Sequence, residues 1–129
     1  MSVALLLVTH SNIGTDMLRI TSSIMNEKLY NVACIEVPMD ADTENMKNKV
    51  ANAMSTLSTE NGILILTDSY GSTPCNIASD FTDGENTVLV SGLNLPMLIR
   101  TMNYRSLSLA ELKDAAIEGG RQGIISTAG

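Results

Sequence analysis

The sequence predicts an α/β domain on a mainly parallel sheet, and three observations carry that prediction. Four short, almost wholly apolar runs recur along the chain, at residues 3–8, 32–37, 63–66 and 87–90. The stretches between them place apolar residues at helical rather than strand spacing. Strands buried on both faces read as continuous apolar runs, and helices alternating with them supply the cover. Finally, polar residues collect directly after the first, third and fourth runs, where open parallel sheets bind ligands.

Taken in order, Val3 to Val8 is too continuous for a half-exposed strand and is placed centrally, ending at Thr9 and His10. A helix follows from about Gly14, with Met17, Ile20, Thr21 and Ile24 on one stripe. The second strand, 32–37, stops at Pro38; Asp42 or Thr43 then caps a helix whose apolar face carries Met46, Val50, Met54 and Leu57. Gly62 separates it from the third strand. Thr73 and Pro74 read as a cap and a first-turn proline, opening a helix to about Phe81. Asp83 and Gly84 make a turn before the fourth strand, after which Asn94 and Pro96 lead into a further helix. Ser108 and Glu111 have the spacing of a capping box for a last helix through Glu118, which Gly119 and Gly120 end. Residues 123–126 are expected to form a short fifth strand.

The chain has 129 residues, 44% of them hydrophobic, which suits a single domain over 1–129. Fourteen acidic against eight basic residues give a net charge of -6, the wrong sign for a nucleic-acid binder. No window approaches the roughly 18 consecutive apolar residues of a membrane helix, so no membrane insertion is expected. No positively charged leader precedes the first strand, and Cys34 and Cys75 lack metal-type spacing. These features suit a reducing cytoplasm and predict no metal site.

The three polar loops are His10-Ser11-Asn12, Asp68 through Thr73, and Ser91 through Asn94. With strands ordered 2-1-3-4, the first and third are neighbours at the switch point, and His10 meets Asp68. His10 is the only histidine, and imidazole is the side chain able to act as nucleophile or proton shuttle at neutral pH. A carboxylate such as Asp68 would hold one ring nitrogen as N–H and leave the other's lone pair free. Gly71, Ser72 and Thr73 offer hydroxyls, close backbone approach and helix-start N–H groups to a phosphoryl group. Ser11, Asn12, Ser91 and Asn94 are further candidates to line the site. A Gly-Lys-Ser/Thr phosphate loop is absent, so nucleotide triphosphate binding has no support, and no cofactor is expected.

Three blocks resemble the mannose-type IIA domains of the bacterial sugar phosphotransferase system: Val8-Thr9-His10; Leu66-Thr67-Asp68-Ser69-Tyr70-Gly71-Ser72-Thr73-Pro74-Cys75-Asn76; and Val90-Ser91-Gly92-Leu93-Asn94-Leu95-Pro96-Met97-Leu98. The resemblance implies that His10 accepts a phosphoryl group from the phosphocarrier HPr and donates it to a IIB partner. It implies that Asp68 orients the imidazole and that groups around Ser72 and Thr73 bind the phosphoryl oxygens. It also implies a homodimer in which the C-terminal strand, near 123–126, crosses to the partner sheet.

The chain departs from that family pattern in two places. Ser11 stands where a glycine usually follows the histidine, and Gly71-Ser72-Thr73-Pro74 replaces Gly-Gly-Ser-Pro while keeping a hydroxyl one residue before the proline. A regulatory module that senses phosphorylation without a role in sugar uptake is the alternative reading. A phospho-aspartate receiver would need an acidic cluster where His10-Ser11-Asn12 stands. Flavin binding would need more than 3% aromatics, and a serine hydrolase would need a Gly-x-Ser-x-Gly elbow.

Overall fold

The computed structural model describes residues 2–128; Met1 and Gly129, the ends of the expected 1–129 domain, lie outside the described residues. Strands β1 (Ala4–His10), β2 (Val32–Val37), β3 (Ile63–Thr67) and β4 (Thr87–Ser91) form one sheet in the order β2-β1-β3-β4, all parallel. Helices α1 (Ile13–Met25), α2 (Thr43–Ser55), α3 (Thr73–Ser79), α4 (Leu95–Asn103) and α5 (Leu109–Gln122) complete the fold. Both the strand order and the strand positions agree with the expectation.

Side chains alternate across the central strands and so build two cores. Leu5, Leu7, Leu64, Leu66 and Val90 pack with Leu98, Leu112 and Ala116 beneath α4 and α5, joined by Met17 and Leu18 of α1. Leu6, Val8, Ile63 and Ile65 pack on the other face with Met46, Val50, Ile77 and Ala78 of α2 and α3. Two buried faces explain why β1 and β3 read as unbroken apolar runs.

The amino end of the sheet is closed structurally. Arg105 donates to the carbonyls of Val3, Tyr30 and Asn31 at 2.9, 2.7 and 2.8 Å. Burial pushes its guanidinium pKa down, and these carbonyls satisfy the donors that water would otherwise serve.

Four helix or strand readings need correction. First, α1 buries Gly14 and Thr21, with Met17 and Leu18 against the core, while Ile20 and Ile24 are 38% and 56% exposed. A Cβ on Gly14 would lie 2.7 Å from Cys34 Sγ and 3.1 Å from Thr9, so the helix seats on this glycine and turns Ile20 and Ile24 outward. Second, Ser72 rather than Thr73 holds the N-cap position of α3, and the helix ends at Ser79, short of Phe81.

Third, Gly119 and Gly120 do not end α5, which continues to Gln122 behind a complete Ser108–Glu111 capping box. These glycines are packing residues. A Cβ on Gly119 would stand 2.6 Å from Arg100 Cβ, and one on Gly123 would stand 2.4 Å from Pro96. They let α5 lie directly on α4. Gly119→Ala is therefore expected to destabilise the fold by about 1–3 kcal/mol despite alanine's better helix propensity, checked by denaturant unfolding.

Fourth, residues 124–128 carry no regular structure, and no fifth strand forms over 123–126. Gly123 caps α5, and Ile124 and Ile125 are 78% and 76% exposed. Within one chain this segment pairs with neither edge strand of the sheet. It emerges beside an apolar groove of about 490 Å³ along β4, whose lining includes Leu89, Val90, Met97, Ile117 and Ile124.

Candidate functional site

The site begins where β1 and β3 end side by side. Val8 is in register with Thr67, so Asp68, one residue past Thr67, and His10, two residues past Val8, arrive at the same edge. Asp68 Oδ2 lies 2.7 Å from His10 Nδ1 and also accepts the backbone N–H of His10 at 3.3 Å. A single carboxylate oxygen thus holds both the ring and the main chain of the histidine.

The pair is graded from inside to outside. The His10 side chain is 31% exposed and that of Asp68 is 11% exposed. A carboxylate can only accept, so Nδ1 is the donor and carries the proton. This fixes the tautomer and leaves Nε2 with its lone pair and no hydrogen-bond partner among the described residues. The other carboxylate oxygen, Asp68 Oδ1, is buried without a partner. Such an atom costs about 1–3 kcal/mol, a cost tolerated where the group has a task besides stability.

The loop after β1 is tightly held. The Ser11 N–H donates to Val37 O at 2.8 Å, and Ser11 adopts φ 40°, a left-handed conformation in which a glycine would be unstrained. Asn12 occupies the N-cap position of α1 but makes no capping bond; its amide donates instead to Asp16 at 3.2 Å. Capping falls to Thr9, a residue the sequence did not single out. Its buried hydroxyl accepts the Gly14 N–H at 2.9 Å.

The loop after β3 carries Gly71 and Thr73 exposed and Ser72 half-buried. Gly71 has φ +78°. The Ser72 hydroxyl donates to Ser69 O at 2.6 Å and makes no capping bond to α3. Tyr70, also in this loop, is 87% exposed, as is Met39 after β2.

Two other candidates serve the framework. Asn94 is the N-cap of α4, accepting from Met97 N at 2.9 Å, and it donates to Gly120 O at 3.0 Å, so it clamps α4 to α5. Its edge also lines the groove along β4. Ser91 turns inward, accepting from the Thr67 hydroxyl at 3.0 Å and lying 3.4 Å from Cys75 Sγ. That contact was not legible beforehand, because it depends on the register that sets Thr67 opposite Ser91. Among the described residues, no group of three or more His, Cys, Asp or Glu side chains is placed to hold a metal ion. No helix among them is long and apolar enough to cross a membrane.

The family model of EIIA-man, described as the PTS system fructose IIA component, matches residues 4–117. The PTS system mannose-specific EIIAB component of Escherichia coli K12 is 31% identical over 127 residues, covering 96% of this chain and 39% of that protein. The chain therefore spans well under half the length of this curated relative. Among solved structures, the mannose/sorbose specific IIA subunit from Enterococcus faecalis superposes with a TM-score of 0.88 at 23% identity, covering 98% of this chain and 96% of that one. Phosphotransferase system component EIIA from Streptococcus agalactiae gives 0.84 at 22% identity and covers 96% of each chain. At these identities the two structures speak to the fold alone.

Proposed function

Because the chain belongs to the mannose-type IIA family of the sugar phosphotransferase system, as the family model matching most of its length establishes, we propose that it works as a phosphocarrier through His10. The reading covers residues 1–129 as one IIA domain, with HPr as donor and a IIB protein as acceptor. The observation that carries it is the His10–Asp68 pair, bonded through Nδ1 and leaving Nε2 free.

The chemistry follows from that geometry. The Nε2 lone pair attacks the donor's phosphorus, a phosphorus–nitrogen bond forms on His10, and the donor's own bond to phosphorus breaks with its electron pair returning to the donor. The Nδ1 proton stays between ring and carboxylate throughout. As the ring takes on phosphorus it becomes more cationic, and the buried negative charge of Asp68 stabilises that change. Transfer to IIB is the same event in reverse. Such a reaction depends on positioning and charge stabilisation, so a site made of a few loop residues suffices.

Gly71, Ser72 and Thr73 are assigned to the phosphoryl oxygens. The first-turn N–H groups of α3 have no intrahelical acceptor and suit an anion. The Ser72 hydroxyl must leave Ser69 O to join them. Ser11 and Asn12 belong to the rim of the site, and no resident cofactor is required. The protein acts in the cytoplasm, where HPr is phosphorylated. We assign the family's homodimer to it as well, with the segment 123–126 pairing on a second copy beside the β4 groove.

The deciding experiment is a relay. Phosphoprotein prepared with phosphoenolpyruvate, enzyme I and HPr, then separated from them, is mixed with IIB proteins of the mannose family. Passage of the label to IIB is the expected result. Stable label that no IIB accepts would favour the regulatory module over the carrier.

A further inference from the structure

Beneath the loop that joins β3 to α3 lies a polar cluster with no part in the chemistry above. Thr67 and Cys75 are 0% and 3% exposed, and Ser91 is half-buried between them. The Thr67 hydroxyl donates to Ser91 Oγ at 3.0 Å, and Ser91, having accepted that hydrogen bond, has its own hydroxyl proton to offer Cys75 Sγ at 3.4 Å. The Gly71 backbone, above the cluster, also acts on the thiol to lower it. Burial pushes the Cys75 thiol up, but the polar groups around it, the Ser91 hydroxyl foremost, outweigh it and bring the thiol below its ordinary value, while the Ser79 hydroxyl donates to the Cys75 carbonyl at 2.7 Å.

Three small apolar residues would fill this space without the desolvation that hydroxyls and a thiol incur. What a hydrogen-bonded chain adds is one fixed geometry, since each member has a single good orientation once its neighbours are set. The residues it joins are telling. Thr67 immediately precedes Asp68, Ser91 ends β4, Cys75 lies in the first turn of α3, and Gly71 is the apex of the proposed phosphoryl loop.

We propose that the Thr67–Ser91–Cys75 chain is a positioning device for phosphoryl transfer. It ties the ends of two strands to the underside of the loop of residues 68–73, so that Asp68 and the Gly71 backbone keep their places relative to His10. None of the three touches the phosphoryl group; they act through Asp68 and Gly71. The inference rests on the carrier reading for its rate effect, but not for its structural content.

The test compares Cys75→Ala, Ser91→Ala and Cys75→Ser with the wild type, measuring initial rates of His10 labelling across a range of phospho-HPr concentrations. Both alanine variants are expected to lose about ten- to a hundredfold in maximal rate, the scale set by small misplacements of reacting groups. The half-saturating phospho-HPr concentration should move less than about twofold, because the docking face is unchanged. Cys75→Ser, which keeps a donor and acceptor at the same place, should recover most of the rate. Alanine variants that melt cooperatively and still reach the wild-type maximal rate would overturn the proposal. So would a loss that follows melting temperature alone and that serine does not restore.

Should Cys75→Ala not fold, Ser91→Ala, at the less buried middle member of the chain, carries the same comparison. If the wild type itself takes no label, the carrier reading fails and NMR decides this inference separately. Loss of the chain should speed exchange of the Gly71 amide at least about tenfold and shift the His10 ring nitrogens towards a mixture of tautomers. Unchanged exchange and unchanged ring signals would refute it.

Discussion

Replacing His10 by glutamine is expected to abolish phosphoryl labelling and to leave the fold intact. The lone pair of an amide nitrogen is delocalised into its carbonyl, so glutamine offers no nucleophile, yet its NH₂ can still donate towards Asp68 Oδ2, which now receives Nδ1 at 2.7 Å. The check is intact-protein mass spectrometry after incubation with phosphoenolpyruvate, enzyme I and HPr. One acid-labile phosphoryl is expected on the wild type and none on His10→Gln, with cooperative melting in both. A labelled glutamine variant would move the acceptor to another residue and remove the basis of the proposed function.

Asp68→Ala separates activity from stability. Without the carboxylate the imidazole is free to rotate and to place its proton on Nε2, and the ring loses the charge that stabilises its phosphorylated form. A slowing of about 10²–10⁴-fold is expected, on the scale seen when the orienting carboxylate of a catalytic triad is disabled. Melting temperature should hold or rise, because the substitution also removes a buried carboxylate oxygen that has no partner. Stopped-flow labelling and calorimetry on the same preparation read the two effects. Wild-type kinetics would show that Asp68 does not orient the ring; a large loss of stability would show that the carboxylate is held for the fold.

Much of the frame was legible because of what the strands must bury. β1 and β3 are covered on both faces, so their apolar runs are uninterrupted, and central placement of these two strands follows. The His10–Asp68 encounter followed from strand order alone, since adjacent parallel strands end together. The misreadings also have physical causes. Gly119 and Gly120 look like a helix stop, and only the closeness of Arg100 and Met97 shows why side chains are missing there. The burial of Gly14 turned α1 so that Ile20 and Ile24 face outward, a rotation that periodicity cannot fix. Residues 123–126 have strand-like chemistry, but pairing needs an edge that this segment does not reach within its own chain. In the sequence Ser91 is only a candidate to line the site and Cys75 only a cysteine without metal-type spacing, because the contacts of Ser91 with Thr67 and Cys75 exist only in three dimensions.

The double grip of Asp68 Oδ2 on the ring and the main-chain N–H of His10 has a consequence for how such a protein can diverge. The nitrogen proposed to react takes its coordinates from the two central strands and not from the surrounding loops. Exposed side chains at the same end of the sheet, Ile13, Met39 and Tyr70, are free to change with little effect on where that nitrogen points. Chemistry and recognition are then separable inheritances. A lineage can exchange one protein correspondent for another by rewriting its rim, as the serine at position 11 already rewrites part of it, while the histidine keeps its aim.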